Sequence, residues 1–398
     1  MSDKNRASQK SINTVITHAG NNPRDFYGFV NPPVVHASTV LFPDSATLAS
    51  RNQKYTYGTR GTPTSDALAD AITEIEGAAG TIVVPSGLAA ITVPLLGFVK
   101  AGDHILVVDS VYSPTRRFCD TILAKLGVET TYYDPEIGAN IETLFKPNTS
   151  IVFTETPGSN TYEIQDIPAI VEVAHRHDAI VMLDNTWATA VFYKAMSFGV
   201  DIVVHAGTKY PSGHSDVLLG MVSANEKYWD KLYETYVTFG VCAGPDDIYL
   251  VLRGLRSMAV RLAHHEKSAL SIAERLQNVE GVARVLHPAL PEFPGHDLWK
   301  RDFSGSSGLF SIVLDGGGES TSRWKKKADA FLDALDIFGL GYSWGGYESL
   351  AVPVFLGDRT VAKAPTEGPV IRLQIGLEDT EDLLADIMQG LAAANAVS

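Results

Sequence analysis

Several apolar runs, in which hydrophobic residues follow one another without alternation, constrain the fold more than any other feature of this chain. Residues 104–109 and 179–184 are two of these runs, and they end on Asp109 and Asp184. A strand that is hydrophobic on both faces must be buried on both faces, as in a parallel sheet covered by helices. Segments with helical spacing of apolar residues, such as 65–76, lie between the runs. The pattern predicts an α/β fold with a doubly wound, mostly parallel sheet.

Two of the predicted strands bring a chemically capable residue to the same edge of that sheet. Asp184 ends one strand, and a second strand and turn starts 17 residues later and leads to Lys209. Ligands of open α/β sheets bind at the carboxyl ends of the strands. A desolvated lysine amine attacks carbonyl groups, and a carboxylate can keep a pyridine nitrogen protonated. The pair predicts a pyridoxal phosphate (PLP) site, whereas each residue alone could be a surface lysine or a helix N-cap.

The stretch around Lys209 resembles the lysine signature of PLP-dependent enzymes of cysteine and methionine metabolism. The matching residues are Asp201, Ile202, Ala206, Gly207, Thr208, Lys209, Tyr210, Gly213, His214 and Ser215. Two positions depart from it: Pro211 replaces an aliphatic residue, and Ala206 replaces a serine that binds the cofactor phosphate in many members. The resemblance extends from about residue 17 to residue 384. It implies a fold-type I PLP-dependent transferase-like fold, a lysine that forms a Schiff base with PLP, and Asp184 beside the ring nitrogen.

Composition limits the partners and the compartment. The net charge is −14 and no basic block is present, so we expect neither nucleic acid nor an anionic membrane as a partner. The two cysteines, Cys119 and Cys242, have no metal-ligand spacing and suggest no disulfide framework. The N-terminal stretch is polar, and no run approaches the roughly 18 apolar residues of a membrane helix. We therefore expect a globular cytoplasmic protein without a metal site.

Further cofactor contacts are expected around the same sheet edge. Ser86-Gly87-Leu88 opens a helix after an apolar strand, where free backbone N–H groups favour an anion. The resemblance places the PLP phosphate there, with the backbone of Gly87 and Leu88 as donors. It also implies cofactor contacts from Thr186 and Thr208. Tyr112 matches the family tyrosine that stacks on the PLP ring and helps the substrate amine to lose its proton, although a tyrosine there could simply cap the core.

Residues 1–62 have few periodic signals but carry enough apolar side chains to pack on something. The resemblance implies an arm that reaches a neighbouring subunit, and therefore a homo-oligomer, with a tetramer built from two active dimers as the expected form. Tyr57 matches a phosphate-binding tyrosine of that arm. Thr59 stands in the usual arginine position and the arginine follows at Arg60. We expect Arg60 to supply a positive charge for either the phosphate or the distal carboxylate of a substrate.

The remaining chain is divided into a large PLP-binding domain, residues 63–257, and a smaller C-terminal α+β domain, residues 258–398. A long helical pattern from about residue 246 to 278 leads out of the sheet. Arg372 lies in an apolar strand, where a charge requires a partner. That partner is either a structural carboxylate or, as the resemblance implies, the α-carboxylate of the substrate.

The Gly-rich loop at residues 342–350 resembles the family's substrate loop. Its Ser343 and Trp344 are expected to contact substrate, and the tryptophan is similar to that of the bacterial cystathionine β-lyase branch. The expected reaction is therefore α,β-elimination of cystathionine to homocysteine, pyruvate and ammonia, with elimination from cysteine as a further reaction. γ-Elimination or γ-replacement within the same family remains the alternative, and so does a regulatory protein on a PLP scaffold that no longer catalyses.

Overall fold

A seven-stranded sheet forms the centre of the computed structural model, which describes residues 10–317 and 321–397. Its strands are β1 (Gly80–Val84), β2 (His104–Val108), β3 (Glu129–Tyr133), β4 (Thr149–Glu155), β5 (Ile180–Asp184), β6 (Ile202–Ala206) and β7 (Gly220–Ala224). They lie in the order β1-β7-β6-β5-β4-β2-β3. β7 is antiparallel to both of its neighbours, and the four pairs from β6 to β3 are parallel. The predicted mostly parallel sheet is confirmed.

A second sheet of four antiparallel strands follows along the chain. Its strands are β8 (Val282–Leu286), β9 (Leu309–Leu314), β10 (Leu350–Val354) and β11 (Val370–Gln374), in the order β10-β11-β9-β8. The sequence reasoning did not identify β10, whose five residues include Pro353. That proline lies opposite Ile371 in the register with β11, and β10 is the edge strand, the position in a sheet that tolerates proline. The limits expected at residues 62 and 257 stay predictions.

Helices surround both sheets. They are α1 (Ile12–His18), α2 (Ser45–Ser50), α3 (Pro63–Glu76), α4 (Gly87–Phe98), α5 (Ser113–Phe118), α6 (Ile167–Arg176), α7 (Thr189–Phe192), α8 (Trp229–Phe239), α9 (Pro245–Leu255), α10 (Met258–Leu276), α11 (His296–Asp302), α12 (Thr321–Asp333) and α13 (Thr380–Asn395). Short 3-10 turns occupy Pro23–Phe26, Gly58–Arg60, Gly138–Leu144 and Ala195–Phe198, and a π turn occupies Cys119–Leu123.

The long helical pattern from residue 246 to 278 consists of two helices, α9 and α10, with a short break between them. The amides of Arg256 and Ser257 bond to carbonyls three residues back, at 3.3 and 3.1 Å, so the last turn tightens and ends. The guanidinium of Arg261 donates a hydrogen bond to the carbonyl oxygen of Gly254 at 2.8 Å. Apolar periodicity continues across such a break because both helices pack on the same core.

Six of the seven strands of the central sheet are buried along most of their length, as the continuous apolar runs predicted, whereas the edge strand β3 buries only Tyr133. All five residues of β1 and of β2 are buried. The polar exception in β2, His104, has both ring nitrogens bonded, to the hydroxyls of Thr149 at 2.7 Å and Thr131 at 2.8 Å. These two hydrogen bonds offset the cost of burying the imidazole.

The described part of the N-terminal arm, residues 10–62, has two parts that differ in their packing. α1 packs on its own chain, because Arg256 donates hydrogen bonds to the carbonyls of Ile16 and Ala19 at 2.8 Å each. The following segment exposes large apolar side chains: Tyr27 is 99% exposed and Leu41 is 85% exposed. Whether this part of the arm packs on a neighbouring subunit stays a prediction.

Candidate active site

The candidate site lies at the carboxyl ends of the parallel strands. Asp184 ends β5 and Glu155 ends β4, and the two residues are in register. Tyr112 follows β2 closely and Lys209 follows β6. Because parallel strands end at one edge, these side chains converge although up to 97 residues separate them along the chain.

Asp184 is held by one of its two oxygens. Its Oδ1 accepts hydrogen bonds from the backbone N–H of Thr186 at 2.9 Å and from the Thr186 hydroxyl at 2.5 Å. Among the described residues no hydrogen bond reaches Oδ2. Burial raises the pKa of Asp184, and the Thr186 bonds together with the charges of His205 and Lys209 oppose the rise. The free oxygen can therefore receive a cationic N–H, as the sequence analysis expected.

Lys209 has an amine whose pKa lies well below that of an ordinary lysine. Its Nζ donates a hydrogen bond to the hydroxyl of Ser343 at 2.5 Å and lies 5.2 Å from the ring centroid of Trp344. Burial, assisted by the charge of Arg372, lowers the pKa of Lys209 to about 8. A primary amine with this pKa has a substantial unprotonated fraction near neutral pH, which both nucleophilic attack and proton abstraction require.

The lowered pKa predicts a pH-dependent stability of the apoprotein. Below pH 8 the folded chain holds a protonated, desolvated lysine, and the shift from 10.5 to about 8 corresponds to about 3 kcal/mol. Between these values the unfolded state binds more protons, so stability rises with pH.

Lys209→Met apoprotein should therefore be more stable than wild type at pH 7, and its advantage should shrink as the pH approaches 10.5. Urea unfolding across this range measures the difference, and substitution of the exposed Lys125 by Met is the control. An advantage that grows with pH would contradict the assignment.

Ser343 connects the lysine to the arginine. Its hydroxyl accepts from Lys209, and its carbonyl oxygen accepts from the guanidinium of Arg372 at 3.0 Å. The backbone of Ser343 has φ +83°, a left-handed conformation that is rare for a residue with a side chain. Such strain persists where surrounding contacts impose it, and it is frequent in functional sites.

The loop that carries Ser343 and Trp344 lies directly on the Lys209 turn. A Cβ at Gly345 would approach the backbone nitrogen of Tyr210 to 2.9 Å and the Lys209 carbonyl carbon to 3.1 Å, and Gly345 has φ +83°. Glycine is therefore required there for both space and conformation. The contact explains how a loop from the second sheet reaches a turn that precedes it by 134 residues.

Arg372 occupies β11 opposite Val352 on one side and Ser311 on the other. Burial lowers its pKa, and the nearby hydroxyls of Tyr162 and Tyr112 oppose the change. No carboxylate forms an ion pair with it among the residues that the structure describes, so the structural ion pair that the sequence left open is not found there. A guanidinium held without a counter-ion is suited to bind an anionic group.

The turn into α4 has the features expected of an anion site. The Ser86 hydroxyl caps the helix by accepting from the N–H of Ala89 at 3.1 Å. The amides of Gly87 and Leu88 have no acceptor among the described residues, as is general for the first turn of a helix. A Cβ at Gly87 would lie 2.7 Å from the Cβ of Ala206, so glycine permits the close packing of this turn on β6.

Thr186 and Thr208 both use their hydroxyls to fix backbone. Thr186 Oγ1 accepts from the amide of Ala206 at 3.0 Å while it donates to Asp184. Thr208 Oγ1 accepts from the amide of Leu219 at 3.0 Å and donates to its carbonyl at 3.3 Å. These bonds hold the turn of Lys209 and the end of β5 in fixed relation, and direct cofactor contacts from the two threonines stay predictions.

Tyr112 extends outward at the site edge with 46% of its surface exposed. Burial of part of the ring, together with the charges of Glu155 and Asp184, raises the pKa of Tyr112, and Arg372 and Arg117 oppose the rise. Its hydroxyl is therefore protonated near neutral pH. The pKa of Lys209 is therefore better matched to proton abstraction near neutral pH than that of Tyr112.

Tyr57 and Arg60 lie apart from the other predicted site residues within this chain. Tyr57 is half exposed, and its hydroxyl is 3.5 Å from Ser38 Oγ. The carbonyl of Arg60 accepts from the hydroxyl of Tyr233 at 3.4 Å. Within residues 10–317 and 321–397, no hydrogen bond or ion pair joins either residue to Lys209, Asp184 or Arg372. Their participation in a site shared between subunits stays a prediction.

Two polar anchors near the site were missed from the sequence. The Asp109 carboxylate accepts hydrogen bonds from the backbone amides of residues 360–362 at 2.6–3.1 Å and forms a buried ion pair with Arg116. Arg359 pairs with Glu163 at 2.8 Å. Both tie the β10–β11 connection to the large sheet. No local pattern marks the bonds to the β10–β11 connection, because these partners lie 196 residues apart or more along the chain.

The residues present fit PLP. The Asp184 carboxylate keeps one oxygen free, Lys209 has a largely buried amine, and the α4 amides with the Ser86 cap form an anion-binding turn. Lys209 would bind the carbonyl carbon of PLP, Asp184 would bind its ring nitrogen, and the turn into α4 would bind its phosphate. Together with the mostly parallel sheet, this site defines a PLP-dependent enzyme of fold type I.

Comparison with known proteins supports the assignment to PLP-dependent enzymes of fold type I. The family model described as Cys/Met metabolism PLP-dependent enzyme matches residues 13–392. A Rhizobium johnstonii protein provisionally named cystathionine beta-lyase is 66% identical over the whole length of both chains. Cystathionine beta-lyase MetC of Escherichia coli is 43% identical, over 97% of this chain and 99% of that protein. The crystal structure of a Xanthomonas oryzae pv. oryzae cystathionine gamma synthase superposes with a TM-score of 0.88 at 31% identity, covering 98% of this chain and 100% of that one. The chain belongs to the Cys/Met metabolism PLP-dependent enzyme family, and the resemblance found in the sequence is confirmed.

Proposed function

We propose that this protein is a carbon–sulfur lyase that converts L-cystathionine and water to homocysteine, pyruvate and ammonia. The observation that carries the proposal is the arrangement of Lys209, Ser343 and Arg372. The amine of Lys209, whose pKa is lowered to about 8, lies 2.5 Å from the hydroxyl of Ser343, and the backbone carbonyl of Ser343 accepts a hydrogen bond at 3.0 Å from Arg372, whose guanidinium has no ion-pair partner among the described residues. A base and a carboxylate receptor are thereby fixed in one unit. The names of the relatives at 66% and 43% identity support this function.

Each residue has a distinct task in the proposed reaction. Bound PLP supplies a ring that stabilises negative charge at the substrate carbon. Arg372 binds the α-carboxylate through its planar donor face. Lys209 Nζ removes the Cα proton, and Ser343 Oγ orients that amine. Asp184 Oδ2 holds the proton on the ring nitrogen.

Two aromatic residues complete the arrangement. Tyr112 would stack on bound PLP and could accept a proton from the substrate amine. Trp344, close to Lys209, would shield the amine of Lys209 from water.

The keto acid that is released tests the proposal. PLP-loaded protein supplied with L-cystathionine should release pyruvate and homocysteine in equal amounts, because the C–S bond on the β-carbon breaks. Formation of 2-oxobutyrate and cysteine would establish γ-elimination instead. Absence of turnover on any thioether amino acid, with PLP bound, would favour the regulatory alternative. L-Cysteine as a second substrate measures the further elimination expected from the sequence.

Assembly and compartment belong to the same proposal. We infer a homo-oligomer, with a tetramer of two active dimers as its form, from the exposed apolar side chains of residues 27–48. Tyr57 and Arg60 would then serve the neighbouring site, with Arg60 on either the phosphate or the distal carboxylate. No helix in the described part of the chain has the length and apolarity needed to cross a membrane. We propose the cytoplasm as the compartment.

A further inference from the structure

A second carboxyl group, that of Glu155, stands beside Asp184 at the site edge. Glu155 ends β4, Asp184 ends β5, and their Cα positions pair in the parallel register. Residues that pair in this way point to the same side of a sheet. Two adjacent carboxylates in a desolvated site cannot both be ionised without a large electrostatic cost.

Hydrogen bonding decides which carboxyl keeps its charge. Asp184 accepts two bonds from Thr186 and is near the positive charge of Lys209. Among the described residues, the carboxyl of Glu155 accepts one hydrogen bond, from the backbone N–H of Tyr112 at 2.8 Å. The guanidinium near Glu155 belongs to Arg359, which is already paired with Glu163 at 2.8 Å, their side chains being 5% and 16% exposed. The negative charge is therefore stabilised on Asp184.

The hydrogen bond that the Glu155 carboxyl accepts from the Tyr112 amide also fixes the position of Tyr112. Tyr112 is the N-cap residue of α5, and its own side chain makes no capping bond. The carboxyl of Glu155 accepts a hydrogen bond from the backbone N–H of Tyr112 itself. Glu155 is itself anchored, because Gln165 Nε2 donates to its backbone carbonyl at 2.8 Å. A rigid strand end thus fixes the backbone from which the Tyr112 ring projects.

We propose that Glu155 is a positioning residue that acts as a neutral carboxylic acid: it holds Tyr112 in place through the backbone amide and leaves the negative charge of the site on Asp184. The inference rests on the proposed function for its catalytic meaning. The charged and titratable groups that face Glu155 are Asp184 from β5, Arg359 from the β10–β11 connection, Glu163 from the loop after β4, and Tyr112 itself. Burial, Asp184 and Glu163 raise the pKa of Glu155 well above its ordinary value, against the opposing effects of Tyr112 N–H and Arg359.

Glu155→Gln is the discriminating variant, because glutamine has the shape and hydrogen-bonding capacity of the neutral acid. A carboxyl with a raised pKa in the folded state binds more protons there than in the unfolded state once the pH exceeds 4.5, so wild-type stability falls as pH rises. Glu155→Gln apoprotein should therefore gain in melting temperature over wild type, by an amount that increases from pH 4.5 to pH 7. Glu226→Gln, at an exposed position, should show no such trend. A Gln variant that loses stability with rising pH would show that Glu155 works as a carboxylate and would overturn the proposal.

Spectroscopy of the PLP-loaded protein tests the positioning role without any substrate. In Glu155→Gln the visible absorption band, its circular dichroism and its pH titration should match wild type. In Glu155→Ala the acceptor of the Tyr112 amide is lost, the visible circular dichroism should fall, and kcat/KM for cystathionine should decrease roughly fivefold or more. If Gln behaves like Ala, or if Ala leaves the circular dichroism unchanged, Glu155 does not position Tyr112. Should the Ala variant fail to fold, the Gln comparison decides alone. Failure of the proposed substrate would leave these optical and stability readings intact, so the two hypotheses fail separately.

Discussion

Lys209→Ala should lower kcat for cystathionine by about three orders of magnitude or more, because one substitution removes both the amine that binds the cofactor carbonyl and the base for the Cα proton. The variant should also lose the visible absorption band of lysine-bound PLP. Its fold should persist, since the side chain removed is a desolvated amine whose only hydrogen bond among the described residues goes to Ser343. Steady-state kinetics and absorption spectra check both expectations.

Lys327→Ala is the matched control for that experiment. Lys327 is also buried and donates one hydrogen bond, to the carbonyl of Asp315 at 2.7 Å, but it lies on α12 away from the sheet edge. Its loss should alter the melting temperature and leave the absorption band in place. Full activity of Lys209→Ala would refute the Schiff-base assignment, whatever the control does.

Arg372→Ala should reduce kcat/KM by roughly 30-fold to several thousandfold, which corresponds to the about 2–5 kcal/mol lost when one member of a desolvated charge pair is removed. The effect should fall mainly on KM, because the contact to the α-carboxylate forms before the chemical step. Arg372→Lys should recover part of the loss, since it keeps the charge but not the planar two-pronged donor face. Arg275→Ala, which removes an exposed ion pair with Glu381, should have little effect.

Arg372→Ala carries a second, independent consequence. The charge of Arg372 is the second largest cause that lowers the pKa of Lys209 to about 8. Its removal should raise the pH at which the amine of the apoprotein becomes reactive toward an amine-directed reagent. An unchanged KM, kcat and amine titration would relegate Arg372 to a structural role.

Two hydrogen bonds to Ser343 connect three distant parts of the chain at the candidate site. Lys209 from the large sheet donates to Ser343 of the Gly-rich loop, and Arg372 of the second sheet donates to the carbonyl of the same serine. Lys209 and Arg372, the proposed base and the proposed carboxylate-binding residue, therefore share a hydrogen-bond partner whose backbone φ is +83°.

The large sheet and the two main site residues were predictable from the sequence because the signals are local. Continuous apolar runs indicate buried strands, and Asp184 and Lys209 follow strands whose carboxyl ends must meet at one edge. The smaller antiparallel sheet was predicted in outline, while β10 was not, since a five-residue segment containing Pro353 has little strand signal. The break between α9 and α10 was missed for a similar reason: burial on one face continues through it.

Contacts between distant segments were beyond what the sequence could determine. Nothing in the residues around Asp109 indicates that three amides some 250 positions later will bond to its carboxylate, and nothing around Glu155 indicates that its neighbour is Asp184. The sequence by itself determined which residues could do chemistry and which strand ends would carry them, because residue type and hydrophobic period are properties of short segments. Only the tertiary structure decided the protonation of those residues. Desolvation and neighbouring charge lower the pKa of Lys209 and raise that of Glu155, and both depend on which groups the fold places within a few ångströms of each other.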